Sequence, residues 1–230
     1  MAETKGLDDK GNPHPDVFAT RRRRMVESQL SARGIRDQSV LDAMARVPRE
    51  AFIAEQYREQ AYEDHPIPIG EGQTTSQPYI VAVMLEALQV RTQDRVLEIG
   101  TGTGYQTALL AELASEVYSV ERHASLAQQT ESILRSLGYP NVTVVLGDGT
   151  EGLPEFAPFD SIIVSAAAPD VPRPLFDQLV EGGRMIAPIG PERSQDLQLI
   201  VKIAGEAKVT QMEACRFVPL IGIHGYSVAP

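Results

Sequence analysis

The stretch Val96-Leu97-Glu98-Ile99-Gly100-Thr101-Gly102-Thr103-Gly104-Tyr105, followed by Val117-Tyr118-Ser119-Val120-Glu121, constrains the fold of this chain more than any other. An apolar run rich in β-branched residues reads as a buried parallel strand. It feeds a turn with Gly at every second position. A helical pattern over 105–114 follows at once, and a second apolar run ends in Glu121. Strand, glycine turn, helix, strand and acid make up half of a nucleotide-binding α/β unit. Glycine in the turn lets the backbone approach a ligand closely. The acid at the end of the second strand stands where it can accept hydrogen bonds from both hydroxyls of a ribose.

The spacing discriminates between nucleotides. A dinucleotide fingerprint starting at Gly100 needs Gly or Ala at position 105, and Tyr105 is there. The pattern is instead Glu98-x-Gly100-x-Gly102-x-Gly104, which resembles the glycine loop of S-adenosylmethionine-dependent methyltransferases. That cofactor carries no phosphate, so the turn needs only to pass close to its amino-acid half. Glu98 suits the cofactor ammonium or water ordered near it. A third element, Gly147-Asp148-Gly149, follows the strand expected at 142–146. Ligands in open α/β sheets bind at the carboxyl ends of strands. An Asp there can accept from an adenine amino group, and Gly149 leaves room for the ring. Asp-Gly is also a common turn pair, so its weight comes from being third in this series.

The pattern along the chain alternates strand and helix. Strands are expected at 95–99, 117–121, 142–146, 161–165 and 184–189. Helices are expected at 105–114, 124–137 and 174–179, with Gly138 and Gly182-Gly183 ending the last two. Two further runs, 197–203 and 208–218, flank Ala204-Gly205-Glu206-Ala207, a hairpin-like connection. The fold class expected is therefore α/β: a doubly wound, mostly parallel sheet with an antiparallel edge. Ahead of it, helical patterns fill 22–33, 38–45 and 51–58. Residues 62–73, with two prolines and two glycines, read as an irregular loop. Pro78 suits the first turn of a helix, and Val81, Met84, Leu85 and Leu88 give that helix an apolar stripe. Residues 1–20 read as a disordered leader. Residues 21–230 read as a single unit, with a helical extension over 21–75 and a Rossmann-like core over 76–230.

Composition narrows the function. A hydrophobic share of 43% permits a sizeable core, and a net charge of -10 speaks against a nucleic-acid partner. Arg21-Arg22-Arg23-Arg24 is the exception, and it reads as the solvated start of a helix. No apolar run approaches the roughly 20 residues of a membrane span, and the N-terminus lacks a signal-peptide core. Cys215 is the only cysteine, and the four histidines show no ligand spacing, so no metal site is expected. The default location is the cytoplasm.

The acceptor end rests on Gly72-Gln73-Thr74-Thr75-Ser76-Gln77-Pro78-Tyr79. A carboxylate acceptor is already ionised near neutral pH and needs no base. It needs donors to hold it in line with the methyl group, and three consecutive hydroxyls could supply them. The competing role for these hydroxyls is to cap the helix that Pro78 starts.

This segment resembles the signature of protein-L-isoaspartate O-methyltransferases. So do Met25-Val26-Glu27-Ser28-Gln29-Leu30, Val47-Pro48-Arg49-Glu50-Ala51-Phe52, the glycine loop, Gly147-Asp148-Gly149, Ala166-Ala167-Ala168-Pro169, Gln178-Leu179-Val180-Glu181-Gly182-Gly183-Arg184 and Arg216-Phe217-Val218-Pro219-Leu220. The similarity covers residues 21–220. It implies a class I methyltransferase fold, S-adenosylmethionine as cofactor and isoaspartyl proteins as substrates. It implies methylation of the free α-carboxylate of an L-isoaspartyl residue. The ester then leaves as the succinimide re-forms, and hydrolysis returns some normal aspartyl.

By the same resemblance Ser76 is the active-site residue. The candidate cofactor set is Gln73, Thr74, Thr75, Ser76, Tyr79, Glu98, Gly100, Thr101, Gly102, Gly104, Glu121, Arg122, Leu126, Asp148 and Gly149. Val218-Pro219-Leu220 matches a segment near the acceptor peptide. Thr150 and Thr75 depart from the family, which often has an aromatic residue and Ile at those positions. A monomer is expected. A methyltransferase acting on a small molecule or nucleic acid shares only the cofactor half of this pattern. A binding protein on a degenerate scaffold is opposed by the intact Gly100, Gly102, Glu121 and Asp148.

Overall fold

A computed structural model describes residues 17–227. The expected leader lies outside the described residues up to position 16. Its last four residues, 17–20, belong to the first helix, α1 (Val17–Met25). The helical path expected over 22–33 continues from α1 as a five-residue π turn and then a 3-10 turn, ending at Gly34 with φ 108°. Helix α2 (Gln38–Arg46) starts at Asp37, whose carboxylate accepts from the Ser39 and Val40 N–H groups. The helix expected at 51–58 is two 3-10 turns, Arg49–Phe52 and Glu55–Gln60.

The segment expected as irregular loop forms a small antiparallel ribbon of β1 (Ile67–Gly70) and β2 (Gln73–Thr75). Gly70 and Gly72 flank Glu71 at its tip, all three at positive φ. The glycines that signal a loop here make a tight reversal instead. Helix α3 (Pro78–Leu88) follows, with Pro78 in its first turn.

The main sheet contains β3 (Arg95–Ile99), β4 (Glu116–Glu121), β5 (Val142–Leu146), β6 (Phe159–Val164), β7 (Leu179–Ile189), β8 (Gln195–Ile203) and β9 (Glu206–Cys215), in the order β5-β4-β3-β6-β7-β8-β9. The first five are parallel, and β8 and β9 form an antiparallel edge. Helices α4 (Tyr105–Leu113), α5 (Ala124–Ser136) and α6 (Arg173–Asp177) connect them. Ala204 and Gly205, at φ 52° and 76°, make the two-residue turn between β8 and β9.

Boundaries differ most from expectation at α6, β7 and β9. Helix α6 ends before Gly182-Gly183, which lie inside β7, where the pairing with β6 jumps from Leu179 to Arg184. The glycine pair therefore marks an irregularity in a strand rather than a helix end. β9 stops at Cys215, and the chain beyond it bridges Ala167 through Pro219.

The apolar strands divide with the period of two that a pleated strand imposes. Val96, Ile163 and Ile186 pack with α3, α4 and the N-terminal helices. Leu97, Ile99, Ile162, Val164 and Met185 pack on the other face with Leu175 and Phe176 of α6. The chain leaves β3 toward β4 on one side and returns to β6 on the other. The reversal opens a crevice at the carboxyl ends of β3 and β6.

Candidate active site

That crevice is a cavity. Its floor is the glycine turn, where Gly100 and Gly102 stand at φ 92° and 54°. A side chain at Gly102 would press on Ile69, because the β1–β2 ribbon closes over the turn. Glu121 ends β4, is 5% exposed and lines the cavity. Its Oε2 accepts from the Gly102 N–H at 2.9 Å and its Oε1 from the His123 N–H at 2.9 Å. Each carboxylate oxygen has two lone-pair sites, so both retain one for a ligand hydroxyl. Arg122, Leu126 and Gly149 line the same cavity. Gly149 is required by packing, since a Cβ there would collide with Ile99.

Glu98 lies beneath the turn. It is fully buried and is not among the residues that line the cavity. Its Oε2 accepts from Thr107 Oγ1 at 2.5 Å and Ser119 Oγ at 2.6 Å, and its Oε1 from Gln106 Nε2 at 2.9 Å. Burial pushes its carboxyl up to about 7, against the downward pull of these three donors. The same Gln106 amide nitrogen donates to Ser165 Oγ at 2.7 Å. Gln106 and Ser165 line the cavity, as does Thr101, which is bonded to Ser119 at 2.6 Å, so Glu98 reaches it only through other side chains.

Two segments close the cavity from above. At the tip of the β1–β2 ribbon, Glu71 accepts from Ser125 Oγ at 2.7 Å and lies 3.7 Å from His123 Nδ1. On the far side, Val218, Pro219, Leu220 and Ile221 form a wall. That wall is held by Leu220 N–H to Ala167 O at 2.7 Å. It is also held by Asp148, whose Oδ2 accepts from the Ile223 N–H at 2.9 Å and whose Oδ1 takes both the N–H and hydroxyl of Thr150. Burial raises the Asp148 carboxyl, but these bonds outweigh it and hold the group below its usual range. Thr150 is fully buried and accepts from the His224 N–H. It pins the C-terminal segment.

A second groove opens beside the first, between Pro66, Gln77 and Ile80 on one side and 213–218 on the other. Thr74, Ser76, Ser165 and Val218 line both. Ser76 does not cap α3: the N-cap is Gln77, without a side-chain bond. The Ser76 hydroxyl makes no hydrogen bond to another described residue and stands on the wall between the two spaces.

The profile of the protein-L-isoaspartate(D-aspartate) O-methyltransferase family matches residues 20–225. The chain belongs to this family. It is 56% identical over 217 residues to the protein-L-isoaspartate O-methyltransferase of Koribacter versatilis, covering 94% of this chain and 98% of that one. A solved protein-L-isoaspartate O-methyltransferase superposes with a TM-score of 0.80 at 34% identity, covering 88% of this chain and 67% of the other. A candidate family member from Plasmodium falciparum, solved with S-adenosyl-L-homocysteine, superposes with a TM-score of 0.77 at 28% identity, covering 87% and 98%.

Of the residues expected at the cofactor site, the fold gathers Gln73, Thr74, Thr75, Ser76, Gly100, Thr101, Gly102, Glu121, Arg122, Leu126 and Gly149 around the cavity. Tyr79, Glu98, Gly104 and Asp148 are not among its lining residues. Tyr79 lies under the Arg33 guanidinium and donates its N–H to Asp64. Gly104 starts α4 at φ 87°, where a Cβ would collide with Thr130 of α5. Sequence reasoning missed Gln106, His123 and Ser165. Ser165 directly follows β6, the strand beside β3, so the crevice rule could have found it. Gln106 sits in the first turn of the helix after the glycine loop. For Ile69 there was no sequence signal.

Proposed function

We propose that this chain transfers a methyl group from S-adenosylmethionine to the free α-carboxylate of L-isoaspartyl residues in proteins. Ser76 carries the proposal: an uncommitted hydroxyl on the wall shared by the cofactor cavity and the open groove. When bound, S-adenosylmethionine supplies an electrophilic methyl carbon on a sulfonium and leaves as the thioether. Glu121, with a lone pair free on each oxygen, binds the ribose hydroxyls. The apolar wall of Leu126, Leu220 and Ile221, opened by Gly149, suits an adenine ring. Gln106, Ser165 and the glycine-turn backbone face the amino-acid end.

In the outer groove Ser76 donates to the acceptor carboxylate and aims one oxygen at the methyl carbon. With the cofactor bound, transfer would form an O–C bond at the acceptor as the donor's S–C bond breaks, with no proton moved. Catalysis is thus positioning and exclusion of water by the ribbon and the C-terminal wall. No helix among the described residues is long and apolar enough to cross a membrane. We read residues 21–230 as one catalytic unit, a cytoplasmic monomer acting on proteins. With a net charge of -10, neither nucleic acid nor a membrane is expected as a partner.

The test is methyl transfer from labelled cofactor to an isoaspartyl peptide beside its normal aspartyl twin. The wild type should methylate only the isoaspartyl form. Ser76→Ala should hold its melting temperature and cofactor affinity, yet lose about one to two orders of magnitude in rate, roughly 1.4–2.7 kcal/mol. Raising the pH from 7 to 9 should not restore it, because no base is replaced. Equal labelling of both peptides would defeat the reading of the substrate. A variant with unchanged transfer would remove Ser76.

A further inference from the structure

Arg49 is the most completely buried charge in the described residues that is used by nothing above. It stands in the 3-10 turn Arg49–Phe52, between the N-terminal helices and α4, and is 0% exposed. Its Nε donates to Ala61 O at 2.8 Å and its Nη2 to Ser76 O at 2.8 Å. Its guanidinium lies over the Tyr105 ring, 4.6 Å from the centroid. Nη1 has no hydrogen-bond partner, and neither has the buried Tyr105 hydroxyl. No described carboxylate forms an ion pair with it. Asp64, whose charge reaches Arg49 only at longer range, is taken up by Arg33 and the Tyr79 N–H.

Buried charges are ordinarily paired, because desolvation is expensive unless an opposite charge offsets it. Here the guanidinium meets carbonyls and a ring only. A neutral side chain of similar length could fill the same space without that penalty. The bond that distinguishes the site is the one to Ser76. It fixes the peptide that carries the hydroxyl on the wall between the two grooves, and a fixed guanidinium fork holds an acceptor more rigidly than a Lys would. In the low-dielectric surroundings the charge is poorly screened, so its field extends past Ser76.

We propose that Arg49 is a positioning residue for methyl transfer: it orients Ser76 through its carbonyl and provides the counter-charge for the acceptor carboxylate drawn in beside Ser76. This rests on the reading of Ser76 given above. The resting protein holds an unbalanced cation next to the acceptor groove, and the arriving carboxylate balances it. The cofactor cavity, which Arg49 does not line, should be indifferent to it.

The test compares Arg49→Gln, a neutral donor, with Arg49→Lys, a charged one, each also on the Ser76→Ala background. The readouts are kcat and KM for an isoaspartyl peptide, cofactor affinity by calorimetry, and melting temperature. Arg49→Gln is expected to lose at least tenfold in kcat/KM for the peptide, with cofactor affinity within threefold of wild type. Arg49→Lys should recover to within about threefold. On the Ser76→Ala background the Gln substitution should cost less than it does in wild type, because the part that acts through the Ser76 hydroxyl is already gone while the counter-charge part persists. Equal losses for Gln and Lys would overturn the counter-charge. A full additional loss on the Ser76→Ala background would overturn the route through Ser76. Cofactor affinity falling in step with kcat/KM would reduce Arg49 to a structural residue. If Ser76→Ala alone is fully active, the reading of Ser76 fails first, independently of Arg49. Should the Gln variant fail to fold, Arg49→Lys decides alone: near-normal kcat/KM supports the charge, and a tenfold loss at unchanged cofactor affinity overturns it.

Discussion

Two acids on neighbouring strands show how position sorts identical chemistry. Glu121 and Glu98 both end or approach the end of a parallel strand, and both are almost wholly buried. Glu121 shares its carboxylate between two backbone N–H groups and the cavity. Glu98 is enclosed by hydroxyls and an amide. Glu121→Ala should weaken binding of S-adenosylhomocysteine by about ten- to a hundredfold, as expected when charge-assisted bonds worth roughly 1.5–3 kcal/mol are lost. Unchanged affinity in calorimetry would remove it from the site. Glu98 predicts a pH effect instead. Its folded carboxyl is raised to about 7 from an ordinary 4.5. The unfolded chain therefore releases that proton first, and the stabilisation present at low pH is lost as pH rises through about 7. Glu98→Gln cannot titrate. The melting temperature of wild type relative to the Gln variant should fall between pH 5 and pH 8. A constant difference would mean that the three donors keep Glu98 ionised throughout.

At the scale of elements, the cavity is made by segments that are not part of the parallel sheet. The β1–β2 ribbon covers the glycine turn and is tied to α5 by Glu71 and Ser125. The chain after β9 is tied to the end of β5 by Asp148 and Thr150. Asp148 was expected to accept from adenine; its Oδ1 is taken by the N–H and hydroxyl of Thr150, and its Oδ2 accepts from the Ile223 N–H and keeps one lone-pair site. Asp148→Ala should therefore release the C-terminal segment. Because Val218 lines both grooves, KM should rise for cofactor and peptide together. Hydrogen exchange at the Ile223 and His224 amides should accelerate at the same time. A rise confined to the cofactor KM, with those amides still protected, would restore the adenine role.

The whole molecule is held by a core that does not respect the boundary between extension and sheet. Met25, Leu30, Val40 and Met44 from the N-terminal helices pack in one cluster with Leu85, Leu109, Ile186 and Leu197. Glu86 of α3 accepts from the Arg36 and Asp37 N–H groups at the start of α2. The extension and the sheet should melt together. Met44→Ala removes a fully buried side chain, and comparable core truncations cost about 2–5 kcal/mol. Scanning calorimetry should show one transition shifted downward. A separate early transition for the extension would show that residues 21–75 fold apart from the rest.

Much of this was legible in the chain itself because it is written in short-range patterns. Period-two burial, glycines at positive φ and the Pro at the start of α3 depend on neighbours a few residues away. The order of elements from β3 to β9, the glycine turn and the place of Glu121 follow from them. The long-range partners are not written locally. Ser165 joins the cavity because β6 pairs with β3 across a long stretch of intervening chain, as Val96 opposite Ser161 shows. Glu98 leaves the cavity because Thr107 and Ser119 reach it first. A Gly-rich loop could be read at 62–73, but not that its two arms pair and fold over Gly102. Arg49 reads as one charged residue in a familiar motif. Only the tertiary structure decided that it is buried without a counter-charge against the carbonyl of Ser76, because burial is a property of what the rest of the chain places around it.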